Sequence, residues 1–301
     1  MRIASLVPSA TEILRALGLA QQIVAISHDC DFPADILDRP RLTATKIGPD
    51  LSSYEIDSSV RESAFSGHSL YRIDKEMLGR LRPDLIVTQE QCRVCAVDRD
   101  HTICTLEDMD LNTKLVSLSA IDFAGLYQDI LSLGSATGRD DKAQKLVSEL
   151  MARLELVVQR TAAASRPRVF CLGWFDPLMA AGSWISDMVR LAGGNDCLGC
   201  GGVTSSRIAF HQLLSESPQV IFLLPCSFSR ERTVREWAAI RGSGPWHDLP
   251  AVHEGRVFAL ESSLFHRPGP RMAEGVALMA SLLHPNRYSS PTQHEFARKV
   301  A

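Results

Sequence analysis

Residues 140–164 read DDKAQKLVSELMARLELVVQRTAAA, and the spacing within this stretch decides the fold. Ala143, Leu146, Val147, Leu150, Met151, Leu154, Val157 and Val158 recur at the i, i+3, i+4, i+7 interval of one helical face. Lys142, Lys145, Glu149, Arg153 and Gln159 fall mostly on the other. Thr137-Gly138 breaks whatever precedes, and Asp140 is placed to accept from the free amides of the first turn. Ser165-Arg166-Pro167 ends the segment, because proline disfavours helix in the residue before it. An uninterrupted helix here is a rod of roughly 35 Å, at about 1.5 Å rise per residue. It lies near the middle of the chain with strand–turn–helix patterns on both sides. Two α/β lobes about a rigid rod is the organisation this predicts; a long core helix inside one domain is the alternative.

The 301 residues, 45% of them hydrophobic, suffice for two lobes with cores of their own. A formal net charge of -3 leaves no basic footprint, so no nucleic-acid partner is expected. Apolar runs fall short of the ~20 residues that cross a bilayer, so no membrane insertion is expected. RIASLV at residues 2–7 already reads as a strand, with no charged and apolar export segment before it. As written, the sequence predicts a cytoplasmic protein, or a periplasmic one if Met1 opens a trimmed mature form. A monomer is expected. Eight cysteines without an export signal argue against a disulfide framework. Cys171 and Cys226, in VFCLGW and IFLLPC, read as small core residues.

Along the chain, IASLV leads through PSA into the helix TEILRALG, closed by Gly18. QQIVAIS is a second strand opening into the loop His28-Asp29-Cys30-Asp31-Phe32-Pro33, and residues 40–70 are polar and carry little pattern. Asp74 caps DKEMLGRL, LIVT runs as a buried strand to Gln89, and KLVSLS is another strand. Ser119-x-x-Asp122 resembles a capping box that starts the helix toward the rod. The second half repeats the scheme: PRVFCLGW, WISDMVRLAGG, FHQLLSESPQVIFLL, RVFALES and RMAEGVALMASLLH. A helix running into Arg82-Pro83 and then DLIV is matched by one running into Ser217-Pro218 and then QVIF, which suggests a duplicated α/β unit. The expected division is a lobe over 1–121, a helical linker over 122–165, a second lobe over 166–284 and a loose polar tail over 285–301. Helices alternating with buried strands imply mostly parallel sheets, whose ligand sites lie outside the strand C-termini.

SLVPSATEIL, RPDLIVTQ, the AGG-N turn at 192–195, SPQVIFL and FHRPGPRM occur in that order. This ordered set resembles the substrate-binding proteins of iron-siderophore and vitamin B12 ABC importers, the cobalamin-binding type in particular, over residues 2–284. The resemblance implies two mostly parallel α/β lobes joined by one long helix, a ligand cleft between them, and non-catalytic binding of cobalamin or another corrinoid. Carried over position by position, it implies a ligand-binding set of Pro8, Ser9, His28, Asp29, Phe32, Gln89, Trp174, Phe265 and His266. Phe32, Trp174 and Phe265 offer apolar faces, while His28, Asp29, Gln89 and His266 offer donors and acceptors to an amide-rimmed ligand. Gln89 and Leu264 stand where the vitamin B12 importer's protein has tryptophan. The family docks on its permease through one acidic residue per lobe. Glu76, seven residues before Pro83, matches the first, and His211, seven before Pro218, replaces the second. Productive permease docking is therefore not expected, which together with the N-terminus favours a cytoplasmic corrinoid-binding relative.

Cys92-x-x-Cys95 follows a strand end, and Cys197-x-x-Cys200 follows the AGGN turn. Four thiolates suit zinc or an iron–sulfur cluster, and Cys92 with Cys95 alone suit a single metal or a redox pair; free thiols are the other reading. The separation of about a hundred residues between the pairs is unlike compact zinc modules. His266, fixed before Arg267-Pro268-Gly269-Pro270, reads either as an axial cobalt ligand or as a polar loop histidine, and His28, with Asp29 to orient it, carries the same two readings. No G-x-S-x-G, P-loop, H-E-x-x-H or dinucleotide fingerprint is present. The strongest enzyme alternative is a chelatase-like tetrapyrrole or metal-handling activity, by analogy of fold alone.

Overall fold

The computed structural model describes residues 1–66, 69–90, 96–199 and 201–301. The chain divides into two compact units, Met1–Ala120 with Ala124–Ser148, and Ile121–Phe123 with Glu149–Ala301.

The first unit is built on β1 (Ile3–Ser5), β2 (Ile23–Ala25), β3 (Thr43–Thr45), β4 (Tyr71–Ile73), β5 (Leu85–Gln89) and β6 (Lys114–Leu118). Four of these form a parallel sheet of order β2-β1-β5-β6, and β3 and β4 make a separate antiparallel hairpin. All five residues of β5 are buried, as a central parallel strand covered on both faces requires. The helices are α1 (Pro8–Ala16), α2 (Ser53–Ser66), α3 (Lys75–Leu81), α4 (Arg99–Asp108) and α5 (Phe123–Thr137). α1 begins with Pro8, whose missing N–H costs nothing at that position. Asp74 caps α3 by accepting from the Met77 amide. α5 begins at Phe123, so Ser119 is not its cap. The Ser119 and Ala120 amides instead donate to the buried Asp129 carboxylate, each at 3.0 Å.

The rod is α6 (Asp140–Thr161), 22 residues and hence about 33 Å long. The division between the units falls within it, between Ser148 and Glu149. Its buried stripe, Ala143, Leu150, Leu154 and Val157, is narrower than the sequence suggests, since Met151 and Val158 are exposed.

The second unit contains β7 (Arg168–Trp174), β8 (Met179–Ala180), β9 (Asn195–Asp196), β10 (Ser206–Arg207), β11 (Val220–Leu223), β12 (Val257–Leu260) and β13 (Ala297–Lys299). β9, β7, β11 and β12 run parallel, while β8, β10 and β13 add antiparallel edges. Its helices are α7 (Ile185–Leu191), α8 (Phe210–Glu216), α9 (Arg230–Ile240), α10 (Pro250–His253), α11 (Met272–Leu283) and α12 (Gln293–Phe296). The tail over 285–301 is not loose: α12 turns the chain back, and β13 pairs with β12 at Phe258↔Lys299, Ala259↔Arg298 and Leu260↔Ala297. It covers an edge that would otherwise present unpaired backbone groups.

The duplication suggested by the sequence has a backbone counterpart. α3 and α8 each have seven residues, and each ends in a left-handed non-glycine residue, Arg82 at φ 41° and Ser217 at φ 47°. In both cases a proline follows and then the fully buried strand, β5 or β11. Glu76 and His211 are each the second residue of their helix, so the register that pairs them in sequence holds in three dimensions.

Candidate functional site: loops at the strand ends

In the first unit, the parallel strands β1, β2 and β5 bring Ser5, Ala25 and Gln89 to one edge of the sheet. Pro8-Ser9, His28-Asp29 and Gln89 follow at or just beyond that edge, where the ends of parallel strands make ligand sites. Ser9 and Gln89 are buried there, at 6% and 7% exposure, His28 and Asp29 are half-buried, and Phe32 is exposed. The peptide bond between Phe32 and Pro33 is cis.

The His28 loop is held from outside itself. Arg41 Nη1 donates to the carbonyls of Ser27, His28 and Cys30 at 3.1, 2.8 and 2.9 Å. The His28 amide donates to Thr43 Oγ1 at 3.0 Å, and His28 Nδ1 lies 2.8 Å from the same oxygen. Tyr71 packs against the imidazole with ring centroids 5.5 Å apart. Thr43 Oγ1, with Ser27 Oγ 3.4 Å from the same Nδ1, thus orients the imidazole on that side. Burial is the largest influence on His28 and lowers its pKa; Asp29 opposes this and Arg41 reinforces it. Beneath the loop, Thr11 Oγ1 lies 2.7 Å from Ser5 Oγ and 3.2 Å from the buried Cys30 Sγ.

In the second unit, β7, β11 and β12 end at Trp174, Leu223 and Leu260 on one edge of their sheet. Trp174 is half-buried, its ring 5.0 Å from Phe228, and the Arg232 guanidinium lies 3.6 Å over the Phe228 ring. Phe228 and Arg232 carry no periodic signal and were not legible in the sequence, nor were Arg41 and Thr43. Cys226, expected in the core, is half-buried in the turn after β11.

Two expected ligand contacts, Phe265 and His266, are more enclosed than the sequence suggests. Phe265 is fully buried, and its carbonyl accepts from Trp184 Nε1 at 2.5 Å, so it offers no face to a ligand. α11 lies directly against it: a Cβ on Gly275 would come 3.2 Å from Phe265 Cε1. Leu264 is likewise fully buried. His266 stays half-buried near the strand ends, but its Nε2 is bonded to the Leu224 carbonyl at 2.5 Å. A neutral imidazole that donates from Nε2 keeps only Nδ1 for a metal, and burial lowers the His266 pKa against that hydrogen bond.

The thiol readings divide. Cys92, Cys95 and Cys200 lie outside the described residues. Cys197 follows β9, which pairs with Arg168 and Val169 at the start of β7, the opposite end of that strand from Trp174. Its amide and Sγ both donate to the Val169 carbonyl, at 3.0 and 3.1 Å. Burial first, then the Asp196 carboxylate, pushes its pKa up to about 12. Cys197 thus lies at the opposite end of its sheet from the strand-end loops. Among the described residues no group of three or more His, Cys, Asp or Glu side chains is arranged to hold a metal ion. Nor is any described helix long and apolar enough to cross a membrane. Glu76 is exposed and pairs with Arg80 at 3.2 Å, one turn along α3.

The chain is 25% identical to the vitamin B12-binding protein of Vibrio cholerae over 284 residues, 94% of this chain and 88% of that one. Its fold matches the crystal structure of the periplasmic vitamin B12 binding protein of the same organism with a TM-score of 0.66 and 22% identity, covering 94% of this chain and 96% of that one. A periplasmic heme binding protein from Pseudomonas aeruginosa matches with a TM-score of 0.72 and 19% identity, over 96% and 95% of the two chains. Together with the two-lobe α/β architecture and the loops gathered at the ends of parallel strands, the match of the periplasmic binding protein family to residues 3–264 establishes that this chain belongs to that family of binding proteins.

Proposed function

We propose that the chain binds a corrinoid, without transforming it, through the loops that follow the strands of both units. The observation that carries this reading is the likeness to vitamin B12-binding proteins along 94% of the chain. The side chains at the strand ends support it. Ser9, His28, Asp29 and Gln89, with Pro8 beside them, supply a polar edge, and Trp174 and Phe32 supply partly open aromatic faces. Such a mixture suits a large, flat, amide-rimmed ligand. With Phe265 in the core, the aromatic share rests on Trp174, backed by Phe228.

Titration with cyanocobalamin, cobinamide and haem, read by visible absorbance and by quenching of tryptophan fluorescence, tests the proposal. Saturable corrinoid binding is expected, weakened about tenfold or more in Trp174→Ala, as for a buried aromatic anchor. A haem-binding relative of the same fold makes haem the second reading. Tight haem binding with no corrinoid binding would replace the proposal by that reading.

We further propose that docking on a cobalamin-type permease is weak. In the second unit, the position equivalent to Glu76 is His211, and an imidazole cannot pair with a permease arginine as a carboxylate does. Co-purification with such a permease should be poor and should improve in His211→Glu. Tight docking by the unaltered chain would overturn this part alone.

A further inference from the structure

Between α2 and α4, against β4, the first unit carries a groove of about 740 Å³, within the usual range of small-molecule sites. Val60, Ala64 and Leu70 give it an apolar lining, and Lys46, Arg72, Lys75 and His101 bring nitrogen groups to it. The register of the hairpin explains the convergence of two of these cations. Ala44 pairs with Arg72, and Thr45 with Tyr71, while the Lys46 amide donates to the Leu70 carbonyl. By strand alternation Ala44, Lys46, Leu70 and Arg72 share one face, and Thr43 and Tyr71 share the other. That second face holds the His28 imidazole.

Three acids, Asp98, Asp100 and Asp108, and three cations, Lys46, Arg72 and Lys75, line the groove. Of its acids, Asp108 pairs with Lys75 at 2.8 Å and Asp98 caps α4 by accepting from the His101 amide; Asp100 is exposed. Lys46 donates to the Ser69 carbonyl at 2.8 Å, and neither Lys46 nor Arg72 has an acidic partner among the described residues. The field is felt at His101: burial lowers its pKa most, Asp98 opposes, and the Lys46 and Lys75 ammonium groups lower it further.

We propose that this groove is a second binding site, for a small organic anion: a carboxylate or phosphate ester on an apolar body. Lys46 and Arg72 hold the anionic group, and Val60, Ala64 and Leu70 receive the body.

The test uses 2-naphthoate and 1-naphthyl phosphate as probes on the full chain, with the His101 ring followed by NMR. A saturable shift of the His101 resonances, with its pKa raised in the bound state, is expected for at least one probe. The stronger of the two identifies the anionic group. Lys46→Met with Arg72→Gln should weaken binding about tenfold or more. Ala64→Trp, which fills the groove from the exposed side of α2, should abolish it, with the melting temperature showing that the variant is folded. If Ala64→Trp fails to fold, the charge variant decides. A His101 ring indifferent to both probes at millimolar concentration, or affinity unchanged in the charge variant, overturns the proposal.

Discussion

Arg2 and Arg168 share a pattern of hydrogen bonds in two different units of the chain, to which Arg168 adds two to the Ser217 carbonyl. The Arg2 amide donates to Asp84 Oδ2 at 2.7 Å, and the Arg168 amide to Gln219 Oε1 at 3.0 Å. Arg2 Nε donates to the Leu81 carbonyl and Arg168 Nε to that of Glu216, both at 2.9 Å. The Asp84 and Gln219 amides return to the Arg2 and Arg168 carbonyls, again at 2.9 Å. Each arginine thus ties the start of a strand to the C-terminal carbonyls of a seven-residue helix and to the residue after its proline. A cation on the last carbonyls of a helix also complements the helix dipole.

The first prediction follows from that bracket. Arg2→Ala and Arg168→Ala should each lower stability by about 1 kcal/mol, the scale of an exposed charge-assisted contact to a helix end. Urea unfolding checks it: the midpoint should fall in both variants while the slope stays put. Unchanged midpoints would reduce the correspondence to geometry without energetic weight.

That correspondence also shows what was legible. The buried runs of β5 and β11, the α6 stripe and the proline after each short helix are local patterns, and local patterns survive into the fold. β13 was missed because Ala297–Lys299 is short and polar and becomes a strand only where β12 offers an edge. Phe265 was misplaced because its burial is decided by α11, beyond the proline turn. The place of Cys197, at the opposite end of its sheet from Trp174, is fixed only by the pairing of β9 with β7. Arg41 and Thr43 act on His28 from 13 and 15 residues away, and no spacing rule reaches them.

Acidification should destabilise the protein through its histidines. His28, His101, His266 and His284 all have pKa values below the ordinary 6.5, with burial the largest cause in each. Between 6.5 and each folded value the unfolded chain binds more protons than the folded one. Their contribution is therefore complete above pH 6.5, declines as pH falls toward the folded values, and flattens below them. Asp129 and Asp196, raised above 3.8 chiefly by burial, work with the opposite sign as they protonate. His284→Gln, which retains a donor for the Gly193 carbonyl, isolates one histidine. Melting curves between pH 7.5 and 5.5 should show a shallower decline in this variant, by about 2–4 °C for each kcal/mol removed. An identical decline in both proteins would count against the argument.

Core position and ligand contact can be separated at Phe265. Phe265→Ala should cost about 3–5 kcal/mol of stability, as for a buried ring whose cavity cannot collapse. Gly275→Ala should also destabilise, since its Cβ would lie 2.6 Å from Met188 Cε and 2.9 Å from the Leu264 carbonyl oxygen. Trp174→Ala should instead weaken ligand binding with a much smaller loss of stability. Melts and corrinoid titrations on the three variants sort the roles. Weakened binding with undiminished stability in Phe265→Ala would return that ring to the ligand site.

The last prediction concerns the thiol that resists ionisation. Cys197 is half-buried, its Sγ donates to Val169, and its pKa stands at about 12. At pH 8 only roughly one molecule in 10⁴ then carries the thiolate, the form that attacks an alkylating agent or binds a metal. Cys104, on α4, is exposed. Iodoacetamide at pH 8, with sites mapped by mass spectrometry, should label native Cys104 at least ~100-fold faster than Cys197. In urea the two rates should converge, because both burial and the Asp196 field are lost on unfolding. Added zinc should leave the slow labelling of Cys197 unchanged, since the ion would have to displace both a tightly held proton and the hydrogen bond to the Val169 carbonyl. Fast labelling in the native state that zinc suppresses would restore Cys197 as a metal ligand.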